Sequence, residues 1–442
     1  MHILARAAGG PSDRTTHPTL AVYWQGGAPP SVTPLRGDTR TEVVVVGGGM
    51  AGLSCADALA QRGVAVVLLE QEFCGAGASG RSSGFITPDS ELELFDLLSN
   101  LGEARGLQLW DFACGGVERI RRTIERLGLG CDFQVQDSMF VARSARDYRK
   151  VIEPEHRSHS RHGRDSTLYG PEDLRSVLAA HGYHGGVRSG GTFGIDSYAY
   201  CRGLRDALER GGVRIHEGTA VLRITPEGVE TSHGTVSANA VAVLSDRWLG
   251  ALGLAPDAVY HVQTFLAVSR PLREEDLRAM FPDGRLMVWD SELVYKYFRA
   301  IGEGRLLVGA SDLRRTYARQ QTPFSPRVWR VMERYLARHF PSIAIPLEYF
   351  WPGQLGVSKD FLPVVGRASV SPRAWFAGAG AGLPWAAALG EYLADKIVRG
   401  RDELDELLSP KRSFPVGSRL QRVLGKPAAF ALSHAAAKYL RR

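Results

Sequence analysis

Residues 43–52 read Val43-Val44-Val45-Val46-Gly47-Gly48-Gly49-Met50-Ala51-Gly52, and the fold follows from this stretch. A short apolar run, Glu42–Val46, enters G-x-G-x-x-G. The apolar spacing of Met50–Arg62 then predicts a helix, and Val64–Glu70 predicts a second strand. Strand, helix and strand in this order make a βαβ unit with a parallel sheet. Gly47 permits the tight turn, and Gly49 lets the backbone at Met50 and Ala51 approach a pyrophosphate at the helix N-terminus. Gly52 lets helix and strand pack closely. Glu70, ending the second strand, suits a ribose diol and would repel a 2′-phosphate. The motif indicates an adenine dinucleotide and by itself leaves FAD and NAD open.

At 442 residues the chain exceeds what one core holds, so two interleaved domains are expected. Apolar content of 44% and charged content of 23% are those of a globular protein with a sizeable core. The net charge of +7 comes from 54 basic and 47 acidic residues. These are largely interleaved, which argues against a nucleic-acid partner. Five cysteines without paired close spacing fit neither a disulfide framework nor a zinc site and suit a reducing compartment. With no signal peptide or long apolar run, a cytoplasmic location is expected.

Residues 1–40 are rich in Pro, Thr, Gly and Arg and read as a mobile or surface-draped leader. The expected organisation is α/β. A Rossmann-like nucleotide domain takes 41–130, 195–260 and 350–410, and a mixed or antiparallel β-sheet substrate domain takes 131–194 and 261–349. In the latter, strands are expected at Val262–Arg270, Arg285–Trp289, Leu293–Arg299 and Arg305–Gly309, then a helix near Pro326–Phe340.

Two further segments favour flavin over a nicotinamide. Gly75–Gly84, with Ala78-Ser79-Gly80-Arg81-Ser82-Ser83-Gly84, offers small residues and backbone amides to a flat ring and its phosphates. Gly378-Ala379-Gly380-Ala381-Gly382, followed by Leu383, opens the last long helix, and its N-terminus suits the partial negative charge of a reduced flavin.

These residues resemble the D-amino acid oxidase and sarcosine oxidase superfamily, and in particular its branch similar to gamma-glutamylputrescine oxidase. The resemblance covers most of the chain. Tyr23-Trp24 and Pro34–Asp38 look like that branch's leader, and Ala78–Gly84 is similar to its A-S-G-R-N-x-G loop with Ser82 in place of Asn. Ile195–Leu222 resembles the family's helix and the strand whose valine, here Val221, contacts adenine. Trp351-Pro352-Gly353 and Asp360–Arg367 resemble W-x-G…D-x-L-P-x-I-G. Leu383-Pro384-Trp385 departs from the family's usually smaller residues and puts the substrate in doubt. The resemblance implies oxidation of a C–N bond in an amine or amino acid by hydride transfer to FAD, with hydrolysis of the imine. Oxygen or a quinone would accept the electrons. Sarcosine oxidases attach FAD through a cysteine near W-x-G; none lies beyond Cys201 here, so the FAD is expected to be non-covalent.

Alternation in Leu293–Arg299 puts Tyr295, Tyr297 and Arg299 on one face and Lys296 and Phe298 on the other. Lys296 is a candidate for stabilising superoxide near flavin, or else a lysine on the solvent face. Arg299 is a candidate clamp for a substrate carboxylate. Tyr297, on a face expected to see the flavin cavity, is a candidate catalytic residue, and Trp385 is a candidate wall of the amine site or else a core residue. His156, His159 and His162 would share a helix face able to hold a metal, but their arginine neighbours favour a solvated basic loop and no metal. Residues 411–442 read as a basic amphipathic helix pair broken at Pro427, packing on the body, on a second copy, or on a membrane surface. A flavin hydroxylase, a protein-modifying flavoprotein and an FAD-bound regulatory subunit remain alternatives.

Overall fold

The computed structural model describes residues 18–27, 29–89 and 91–439. Residues 1–17 of the expected leader, and Leu440, Arg441 and Arg442 of the expected tail, lie outside the described residues. The valine run forms the strand Thr39–Val46, whose inner residues Val43, Val44 and Val45 are buried as a strand covered on both faces requires. It lies between Gly234–Val243 and Val66–Leu69, both parallel to it, with Arg214–His216 beyond the latter. Ala374–Gly378 extends the parallel set beside Gly234–Val243, and antiparallel strands complete this eight-stranded sheet.

The helix Met50–Ala60 returns the chain to Val66–Leu69 and packs against Leu383–Arg399, which in turn meets Glu103–Leu127. Buried leucines and alanines of these helices form the largest core. A second eight-stranded sheet runs Leu347–Ser358, Val259–Ser269, Arg305–Ala310, Tyr297–Ile301, Leu286–Asp290, Asp137–Val141, Gly186–Ser189, Thr167–Tyr169. Its neighbours are antiparallel except Leu286–Asp290 with Asp137–Val141. The helix Pro326–His339 covers it, placing Val328, Met332 and Leu336 in a core with Phe298 and Phe350.

Four local expectations are corrected. The strand expected over Leu293–Arg299 begins only at Tyr297, because Glu292–Lys296 turns back on Asp290. Leu347–Ser358 lies wholly in the second sheet, although residues from 350 were assigned with the first. The three histidines lie not in a solvated loop but on or next to the helix Glu153–Arg161, where buried His159 bonds Glu155 at 2.8 Å and His156 bonds Ser166 at 2.9 Å. The described part of the leader is anchored: Thr19 pairs with Tyr349, and Trp24 and Leu35 are buried. The tail does form two helices, Ser418–Leu424 and Lys426–Tyr439, with the break at Gly425 (φ +77°) and Pro427 in the first turn of the second. Among the described residues no helix is long and apolar enough to cross a membrane.

Candidate active site

Gly47 has φ +111°, and a Cβ there would meet Leu244 O at 2.5 Å; at Gly52 it would meet Gly47 O at 1.8 Å. Both glycines are therefore required by backbone packing. At Gly49 a Cβ would meet only Ser79 Oγ, at 3.1 Å, so the absent side chain leaves room beside the helix start. The Met50 amide donates to Ser79 Oγ at 2.9 Å. Glu70 accepts the amides of Gly48 at 2.6 Å and Glu72 at 2.9 Å. Burial pushes its carboxyl up, and those two amides act against the shift.

The loop after Glu70 is fixed from outside. Trp24 Nε1 donates to Ser82 O (2.8 Å), Trp351 Nε1 to Arg81 O (3.1 Å), and Arg299 Nε to Ser83 O (2.8 Å). Arg299 Nη2 also donates to Ile195 O at 2.6 Å. The guanidinium is fully buried, and desolvation brings it down to about 10, with Asp132 and Asp196 opposing the shift. At the 378–382 loop, Ala379 holds φ +56°, and Asp246 accepts the amides of Ala379 at 3.2 Å and Gly356 at 2.7 Å. Asp246 thus ties the glycine cluster to the long strand Leu347–Ser358.

These parts border one cavity of about 570 Å³. Its nucleotide end is lined by Gly47, Gly49, Met50, Ala51, Glu70, Ala78, Ser79, Arg81, Ser82, Ser83 and Val221, and the third glycine segment adds Gly378, Gly380, Gly382 and Leu383. The far end is aromatic and acidic, with Phe85, Trp289, Tyr295, Tyr297, Tyr317, Asp89 and Glu91. Tyr295 donates to Glu91 at 3.2 Å and Trp289 Nε1 to Glu93 at 2.9 Å. Burial pushes Asp89 up to about 6 and raises Glu91 and Glu93, the latter further by its acidic neighbours Asp89 and Glu155. The cations lining the cavity are Arg81 and Arg247, the latter near Asp246, Glu72 and Glu70.

Of the residues the sequence singled out, Gly52, Gly80, Gly84, Ala381, Lys296, Arg299 and Trp385 do not line this cavity. Arg299, expected as a substrate clamp, lies outside the cavity, with Nε, Nη1 and Nη2 donating to the carbonyls of Ser83, Ala300 and Ile195. Lys296 pairs with Glu292 and borders a second cavity, of about 210 Å³, with Arg143, Tyr335 and His339. Trp385 is a core residue: it packs on Phe112 and donates to Pro88 O at 3.1 Å. Tyr297 does line the large cavity. Sequence reading missed Asp89, Glu91, Asp246, Tyr317 and His434. Only Asp246, following the strand Gly234–Val243 as Gly47 follows Thr39–Val46, carried a usable signal, its position at a strand end.

The residues present fit a bound FAD: an open helix N-terminus beside a glycine, a carboxylate at the adjacent strand end, and small-residue loops meeting at one cavity. Comparison with known proteins agrees. The family described as DAO, FAD dependent oxidoreductase, matches residues 42–396. The "Probable oxidoreductase OrdL" of Haemophilus influenzae is 26% identical over 386 residues, 84% of this chain and 85% of that one. The gamma-glutamylputrescine oxidoreductase of Escherichia coli is 27% identical over 391 residues, 86% and 89%. In fold, the chain is similar to L-proline dehydrogenase from P. horikoshii, with TM-score 0.71 and 18% identity over 86% of this chain and 98% of that chain. It is likewise similar to glycine oxidase from Geobacillus kaustophilus, with TM-score 0.70 and 21% identity over 85% and 99%.

Proposed function

The chain belongs to the DAO family of FAD-dependent oxidoreductases, and from that premise we propose that it oxidises the C–N bond of an amine. One observation carries this reading: the cavity that begins at Gly49 and Glu70 ends among Asp89, Glu91 and a set of aromatic rings, with no Lys or Arg among the described residues lining that end. Such an end accepts N–H donors and apolar groups, and the neighbouring Lys438 ammonium, 5.0 Å from the Tyr295 ring centre, does not line it and already has the Glu91 carboxylate beside it. Amines without a carboxylate on the reacting carbon are favoured over α-amino acids.

When bound, FAD, here held non-covalently, supplies the two-electron acceptor for the hydrogen leaving the amine-bearing carbon. The chain holds the cofactor through Gly49, Glu70 and the two loops, and excludes bulk water from an aromatic pocket. Asp89, at about 6, can take the ammonium proton near neutral pH, leaving the neutral amine that oxidation requires. Released imine is hydrolysed to carbonyl and amine. Oxygen or a quinone then takes the electrons.

An anaerobic screen tests this. The purified yellow protein should be bleached by primary or secondary amines, and more slowly by α-amino acids. Bleaching by NAD(P)H alone would replace this reading with that of a hydroxylase. A protein that takes up no FAD would overturn it.

A further inference from the structure

His434 stands between two partners that fix its proton. Its Nε2 lies 2.7 Å from the carbonyl oxygen of Ser358, and its Nδ1 lies 2.7 Å from the hydroxyl of Tyr317. A carbonyl only accepts, so Nε2 carries the hydrogen. The ring is neutral, because burial in an apolar setting, including a stack on Phe361 at 3.8 Å, brings it down to about 4. In a neutral ring with Nε2–H, Nδ1 accepts, and the Tyr317 hydroxyl must donate to it.

The consequence lies in the cavity that both side chains line. With its one hydrogen committed to His434, the Tyr317 oxygen has only lone pairs left to offer. Burial and the Glu91 carboxylate both raise the Tyr317 hydroxyl, so it keeps that hydrogen. We propose that Tyr317, held in this orientation by His434, receives an N–H of the substrate amine and so sets the pocket's preference for hydrogen-bond donors. The assignment rests on the amine reading above and names a residue that determines it.

His434 belongs to the helix Lys426–Tyr439, beyond the family-matched segment 42–396. One turn before it, Phe430 is fully buried against Tyr260, 5.3 Å between ring centres. One turn after it, the Lys438 ammonium sits 5.0 Å from the Tyr295 ring centre. Residues 430, 434 and 438 form one stripe of the helix, of which His434 lines the cavity. The C-terminal segment is thus part of the pocket in this chain.

Two probes of similar size separate the roles: butylammonium, which only donates, and butyrate, which only accepts. Their dissociation constants are read from the visible flavin spectrum of the holoenzyme. Wild type should prefer butylammonium. Tyr317→Phe should weaken butylammonium about tenfold, the worth of one hydrogen bond, without gain for butyrate. His434→Phe frees the hydroxyl to rotate and donate, so butylammonium should weaken while butyrate tightens. Tyr317→Phe keeps the ring in place and covers the case in which His434→Phe fails to fold. Unchanged butylammonium affinity in Tyr317→Phe overturns the proposal, as does equal weakening of both probes in His434→Phe. A failure of the amine reading shows separately, as a flavin that no amine reduces.

Discussion

Arg299 Nε donates to the carbonyl of Ser83 at 2.8 Å, so a buried cation on the second sheet holds the loop that lines the nucleotide end of the cavity. Lysine cannot reproduce the fork that also reaches Ile195 O. Arg299→Lys should therefore leave buried carbonyls unsatisfied and lower stability by about 2–4 kcal/mol. Flavin-to-protein ratio after purification should fall with it. The KM of carboxylate-bearing and carboxylate-free amines should shift alike in enzyme reloaded with FAD. A rise confined to carboxylate-bearing substrates would restore the clamp role.

Gly52 and Gly49 carry different burdens although they share one motif. A methyl at Gly52 would lie 1.8 Å from Gly47 O, a backbone atom that cannot yield, whereas at Gly49 it meets the mobile end of Ser79 at 3.1 Å. Gly52→Ala should give little soluble protein. Gly49→Ala should fold with a thermal midpoint close to that of wild-type apoprotein, yet bind FAD at least about tenfold more weakly, because its methyl occupies the pyrophosphate approach. Fluorescence titration of apoprotein with FAD measures this, and equal affinity would remove Gly49 from the cradle.

Lys296 is turned toward Glu292, Arg143 and Tyr335, away from the large cavity. Lys296→Met should leave the rate of flavin reoxidation by oxygen within about twofold of wild type in stopped-flow measurements. Since the side chain is partly exposed, its ion pair should be worth no more than about 1 kcal/mol of stability. A reoxidation rate slowed tenfold with normal reduction would return Lys296 to the chemistry.

The nucleotide half was legible because its signals are local. Four valines, three glycines and Glu70 occupy one stretch, and each has a backbone reason to be there. Tyr297 was also found, by alternation, even though its strand starts late. Lys296 falls in the turn Glu292–Lys296 that precedes the strand, so alternation assigns it no face. Arg299 keeps its alternation with Tyr297, yet its guanidinium reaches the carbonyls of Ser83 and Ile195. Nor does period-2 spacing reveal whether a buried cation meets a ligand or a carbonyl. Apart from Tyr295 and Tyr297, the substrate end was not legible in the sequence. Asp89 and Glu91, Tyr317, and His434 come from three distant parts of the chain, and only the packing of the C-terminal helix brings the last of them to the cavity.

His434 also gives the fold a pH dependence whose sign can be worked out. Its folded pKa is about 4, below the 6.5 of an exposed histidine, so between these values the unfolded chain binds a proton that the folded chain does not. Folding stability from this group is present above pH 6.5 and is lost as pH falls toward 4. Asp89, Asp196 and Asp290, each raised to about 6 chiefly by burial, act oppositely: they favour the folded state as pH falls through 6 toward 4. These carboxyls titrate in the same range as His434, so comparison with a variant isolates the histidine. His434→Gln keeps the carboxyls and removes the ring, so the stability gap between wild type and variant should narrow by about 2 kcal/mol from pH 7 to pH 5. Urea unfolding of both holoproteins at pH 7, 6 and 5 measures the gap. A constant gap would mean that His434 titrates normally, and the neutral ring that orients Tyr317 would be lost with it.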